Sequence, residues 1–91
     1  MAEPIIRYLL TPHALEQSRR RGLEQAVVAA VVTRPQQRVS LRRSRDVLQS
    51  IIEIDRRRYL VRVIVDVDHE PAHVVTVYRT SRISKYWSDE A

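Results

Sequence analysis

The chain has 91 residues, 16 basic against 11 acidic, with a formal charge of +5 and a sequence pI near 10.4, which allows one domain (1–91) with a modest core. It contains no cysteine and a single glycine, excluding a disulfide framework, a thiolate metal site and a glycine-rich phosphate loop. Lys85 is the single lysine, so arginine supplies 15 of the 16 cations, and the planar guanidinium fork suits phosphate better than an ammonium does.

Ile5 to Leu10 is a short apolar stretch. Thr11-Pro12 then offers a hydroxyl N-cap followed by proline at the first helical position, which predicts a first helix from Pro12 to Arg21. Gly22 fits the left-handed C-terminal cap, and Arg19, Arg20 and Arg21 occupy the last turn, where the helix dipole favours cations. From Glu24 to Thr33 the residues are apolar almost all round, which predicts a buried second helix that Pro35 ends.

Beyond Pro35 the hydrophobic period changes from helical to alternating. Gln37–Leu41, Val47–Ile54, Arg58–Val67 and His73–Arg79 read as strands. The turns at Asp55–Arg57 and Asp68–Ala72 are short enough for antiparallel hairpins. Tyr59, Val61, Val63, Val65 and Val67 form the core-facing set of the third strand. On the fourth, alternation puts Val75 and Val77 in the core and turns Thr76 and Tyr78 outward beside Arg62. The expectation is an α+β domain: head helices at about 12–34, a four-stranded antiparallel sheet at about 37–79 with both helices on one face and the other face open, and a C-terminal tail at 80–91.

Arg20, Arg21, Arg42 and Arg43 belong to the densest basic runs and, if they converge, make a phosphate-binding surface; dispersed, they serve solubility alone. His13, in the first helical turn, is the candidate general base. Arg62, Tyr78, Arg79 and Lys85 supply cations and a phenol for cleavage of RNA without a metal, which needs a base for the 2′-hydroxyl, cations for the phosphorane and an acid for the leaving oxygen. Tyr86 adds a ring on which an unpaired base can stack. Asp66, Asp68, His69 and Glu70 match no metal-ligand spacing and read as an acidic turn. Neither a metal nor an organic cofactor is implied.

Thr11-x-His13-Ala14, Arg21-Gly22-Leu23, Arg34-Pro35, Leu60-x-Arg62-Val63 and Val75-Thr76-x-Tyr78, in this order and spacing, resemble a family of small bacterial proteins designated a domain of unknown function, DUF4258. That family is similar to the BrnT and RelE toxins. The resemblance implies helices before an antiparallel sheet, a metal-independent endoribonuclease acting on RNA, and a cognate acidic antitoxin as partner. In the BrnT-like pattern a serine and an arginine stand where this chain has Thr76 and Tyr78, with Arg79 adjacent, and an arginine stands where it has Gln17. The alternative is a non-catalytic module of the same fold that binds nucleic acid or protein; a third reading is a homodimer formed through the open sheet face. Met1 to Leu10 does not form a secretory leader, and no apolar run approaches the roughly 18 residues of a membrane span, so the expected location is the cytoplasm.

Overall fold

The computed structural model describes residues 3–89. In chain order its elements are β1 (Tyr8–Leu10), α1 (Pro12–Arg20), α2 (Gln25–Thr33), β2 (Gln37–Arg42), β3 (Arg45–Ile54), β4 (Arg57–Asp66), β5 (Ala72–Thr80) and the single-turn α3 (Ile83–Tyr86). They build an α+β structure around one five-stranded sheet in the order β1-β5-β4-β3-β2.

Local signals account for the helix boundaries. Thr11 Oγ1 accepts the Ala14 N–H at 3.2 Å, and Pro12 takes the first turn, where its missing N–H costs nothing. At the other end Gly22 adopts φ +64°, its N–H donates to Arg19 and the Leu23 N–H donates to Ser18. This paired closure is the Schellman arrangement, and it delivers Leu23 into the core at 5% exposure.

The sheet departs from the expected four antiparallel strands. β2, β3, β4 and β5 pair antiparallel, but β1 adds a fifth strand parallel to β5, with Leu10 opposite Val74. Three residues are too few to show a period-2 pattern. The strand exists because the chain runs beside β5 before Thr11, whose N–H donates to the Val74 carbonyl, starts α1.

Alternation fails once in β5. Ile64 pairs with Thr76 and the next residue, Val65, pairs with Val74, so Val75 is extra and the strand carries a bulge. Val74 and Val77 therefore both reach the core at 0% exposure, while Val75 lies outside it. This corrects the expected pairing of Val75 with Val77. Thr76 and Tyr78 keep the expected face, opposite Ile64 and Arg62. The core itself joins Leu48, Val61, Val63, Val65, Val74 and Val77 of the sheet to Ala14, Leu23, Val28, Val31 and Val32 of the helical segment.

The second face is not open as expected. The chain after β5 returns across it, bonding through the backbone of Tyr86 and Ser88 to the side chains of Gln49 and Gln37. On this same face Val47 and Leu60, which point away from the helices, are 1% and 0% exposed.

Two glutamines satisfy sheet edges where strand pairing stops. Gln17 on α1 accepts the Val77 N–H at 3.0 Å, beyond the point where β1 has left β5. Gln36 continues the edge of β3 ahead of β2: its Oε1 accepts the Ile51 N–H at 2.9 Å and its Nε2 donates back to the Ile51 carbonyl at 3.4 Å. A buried backbone N–H without a partner costs about 1–3 kcal/mol. Gln17→Ala should lower unfolding free energy by about that amount in urea denaturation, even though it creates only a small cavity. The β3–β4 turn offers the opposite test, since both its central residues, Asp55 at φ 52° and Arg56 at φ 68°, are left-handed. A side chain there costs roughly 1–2 kcal/mol, so Arg56→Gly should raise the denaturation midpoint.

Candidate nucleic-acid interface

Strand register sets one polar row across the strap-covered face. Gln37 of β2 is opposite Gln49 of β3, Gln49 opposite Arg62 of β4, and Arg62 opposite Tyr78 of β5. Paired residues share a face, so four strands each contribute one member.

Hydrogen bonds run the length of the row. The Ser88 N–H donates to Gln37 Oε1 at 3.0 Å, and Gln37 Nε2 donates back to the Ser88 carbonyl. Gln49 Nε2 donates to Gln37 Oε1 at 2.8 Å and to the Tyr86 carbonyl at 3.1 Å. Its Oε1 accepts Arg62 Nε–H at 2.9 Å, and Arg62 Nη1 donates to the Tyr78 hydroxyl. Gln49 is 0% exposed, so its own three bonds, to Gln37, Tyr86 and Arg62, offset the cost of burying its amide.

The row holds the half-buried Arg62 guanidinium in one orientation. Of its five N–H donors, Nε–H and one on Nη1 are taken by Gln49 and Tyr78. Its Cζ lies 4.3 Å from the Tyr86 ring centroid and 5.7 Å from that of Tyr78. Two further cations join it: Arg21 Cζ is 5.9 Å from the Tyr78 centroid and Lys85 Nζ is 5.2 Å from that of Tyr86. Among the described residues no carboxylate forms an ion pair with Arg62, Arg21 or Lys85. Three cations around two phenol rings concentrate positive charge and hydrogen-bond donors, a chemistry that suits an anion with acceptor oxygens.

Five candidates from the sequence thus meet: Arg21, Arg62, Tyr78, Lys85 and Tyr86. Others lie elsewhere. His13 is exposed at the start of α1, eight residues before Arg21, which at 1.5 Å per residue is roughly 12 Å along the helix. It makes no hydrogen bond, ion pair or ring contact with the cluster. Arg79 points to the opposite face, because its partner Val61 is a core residue, and its guanidinium sits 4.5 Å from the Tyr59 ring centroid. Arg20 forms an exposed pair with Glu16 at 3.9 Å. Arg42 and Arg43 lie at the β2–β3 turn; Arg42 is five residues beyond Gln37, roughly 17 Å along an extended strand.

Gln37 and Gln49 were not among the candidates. The available signal was the polar pair Gln49-Ser50 set between the apolar pairs Val47-Leu48 and Ile51-Ile52. A separate hollow of about 520 Å³, lined by residues including Ile5, Arg7, Arg38 and Glu70, contains none of the cluster. Its cations are engaged: Arg7 pairs with Glu70 at 3.7 Å and Arg38 with Asp46 at 2.8 Å.

The model of a domain of unknown function, DUF4258, matches residues 10–79, most of the chain. The chain belongs to the DUF4258 family. No curated protein and no solved structure matches it. The DUF4258 match takes in the capped helix α1, the bulge in β5, and Gln37, Gln49, Arg62 and Tyr78. Lys85, Tyr86 and Ser88 lie beyond it, so the strap that completes the site belongs to the stretch outside the family match. No helix among the described residues is long and apolar enough to cross a membrane.

The row distinguishes two substitutions. Gln49→Leu removes partners from Gln37 and Arg62 together and should lower stability by about 2–3 kcal/mol, whereas Tyr78→Phe removes one hydroxyl at the half-buried end and should cost about 1 kcal/mol. Urea denaturation of both variants checks the ranking.

Proposed function

We propose that this DUF4258 protein is an RNA-directed protein of the RelE and BrnT toxin type, a metal-independent endoribonuclease restrained by an acidic antitoxin, with its phosphate site centred on Arg62. The observation that carries the reading is the immobilised Arg62 guanidinium, without an acidic partner among the described residues and flanked by Arg21, Lys85, Tyr78 and Tyr86. Guanidinium and ammonium groups suit the non-bridging oxygens of a phosphodiester. The two tyrosines suit an unpaired base or a leaving oxygen.

In cleavage, the 2′-oxygen bonds to phosphorus as the bond to the 5′-oxygen breaks, so charge grows on the equatorial oxygens. Preorganised cations stabilise that charge because they need no reorganisation during the step. Tyr78 accepts a hydrogen bond from Arg62, which leaves its own hydroxyl proton available to the 5′-oxygen. The proton of the 2′-hydroxyl requires a base, the role assigned to His13 from the sequence.

A second reading has its own support. His13 stands outside the cluster, and a base must come within hydrogen-bond or single-water reach of the proton it removes. The same cations and rings then serve as a non-catalytic RNA-binding face.

Purified protein, incubated with single-stranded RNA in the presence of a chelator, separates the readings. We expect cleavage that falls at least about 100-fold in Arg62→Gln and Tyr78→Phe, in line with loss of a charge stabiliser or a proton donor. Binding should weaken with salt at a log–log slope of about −2, the value for three phosphate contacts on a single strand. Binding without cleavage selects the non-catalytic reading, and an absence of binding rejects both.

A further inference from the structure

Beyond the Arg62 cluster, the same end of the sheet carries a second aromatic and cationic array on the other face. Tyr59 pairs with Ile52 and lies two residues before the core residue Val61, so its side chain leaves the sheet on the helix side. Arg57 precedes it by two on the same strand, and Arg79 faces Val61 across the β4–β5 pair. The guanidinium carbons of Arg79 and Arg57 lie 4.5 and 5.9 Å from the Tyr59 ring centroid. Neither arginine forms an ion pair with a carboxylate of the described residues.

Two like charges held to one ring repel each other, a cost that a bound anion reverses. A structural cation–π contact needs only one of them. The adjacent turn balances the exposed Arg56 with Asp55, and Arg58 stands opposite Glu53 on the other face, so the positive charge at the Tyr59 ring is that of Arg57 and Arg79 themselves. Tyr78 and Arg79 are consecutive in β5 and face opposite ways. The two arrays therefore back onto each other close to Thr80, where the strand ends.

We propose that Arg57, Tyr59 and Arg79 form a second nucleotide subsite, which takes a phosphate and an unpaired base of the same single-stranded RNA after it passes around the Thr80 end of the sheet. This rests on the reading that the Arg62 cluster binds RNA. The guanidiniums hold the phosphate, and the phenol ring and guanidinium planes provide stacking surfaces that accept any base. The length of RNA needed for full affinity is then set by the path between the two faces.

Fluorescence anisotropy with labelled single-stranded RNAs of about 3 and about 12 nucleotides, a range spanning short and full single-strand sites, tests the subsite. Arg57→Gln/Arg79→Gln should weaken the long RNA at least about tenfold and flatten its salt slope by about 0.7, the share of one phosphate contact on a single strand. The short RNA should bind as to wild type, whereas Arg62→Gln should weaken both lengths. Tyr59→Leu should lose affinity for the long RNA, with Tyr59→Phe retaining it. If the double variant unfolds, the exposed single variant Arg57→Gln must still weaken the long RNA and flatten its salt slope. Unchanged binding of the long RNA by a folded Arg57 variant overturns the second subsite and leaves the Arg62 reading standing. Wild type that binds neither RNA removes the Arg62 reading and the subsite with it.

Discussion

The side-chain amide of Gln49 is the contact on which both the second layer of the fold and its candidate site depend. It is fully buried, donates to Gln37 and to the Tyr86 carbonyl, and accepts from Arg62. An amide in that position without partners costs about 1–3 kcal/mol, so the strap and the arginine are drawn to it for the same reason. Once they arrive, the strap is tied across a face whose Val47 and Leu60 are buried, and the arginine is held beside two tyrosine rings. Packing and site formation are therefore one event on this face of the sheet.

Polar satisfaction also explains how a small sheet with unequal strands closes. β1 runs for three residues beside a nine-residue β5, and β2 for six beside a ten-residue β3. The longer strands would otherwise present bare backbone groups beyond their partners. Gln17 and Gln36 fill those positions with side-chain amides that imitate a neighbouring strand. Gln17 is thus accounted for by the β5 edge at Val77 rather than by phosphate chemistry, which bears directly on the arginine that the resemblance places there.

The distribution of charge follows the same geometry. Arg38 pairs with Asp46 and Arg20 with Glu16, whereas Arg62 and Arg79 instead contact tyrosine rings on opposite faces of the sheet. Basic composition alone treats these residues alike. Their separation into ion-paired and ring-contacting groups is a property of strand register, because a shift of one residue would exchange the faces of Arg62 and Arg79.

What the sequence determined by itself were the features with local causes. Thr11-Pro12 and Gly22 set the limits of α1, Pro35 ended the second helix, and alternation in Tyr59 to Val67 oriented β4, because capping, proline geometry and the period of two act over a few residues. Thr76 and Tyr78 beside Arg62 were legible for the same reason. The parallel pairing of β1, the bulge at Val75, the strap over the second face and the separation of His13 from Arg62 were decided only by tertiary structure. The strand pairing and the strap depend on which backbone or side-chain group, dozens of residues away, completes a hydrogen bond: Thr11 reaches Val74, and Ser88 reaches Gln37 across 51 positions. No local pattern encodes such a partner, since the driving force appears only when burial removes the water that would otherwise have served.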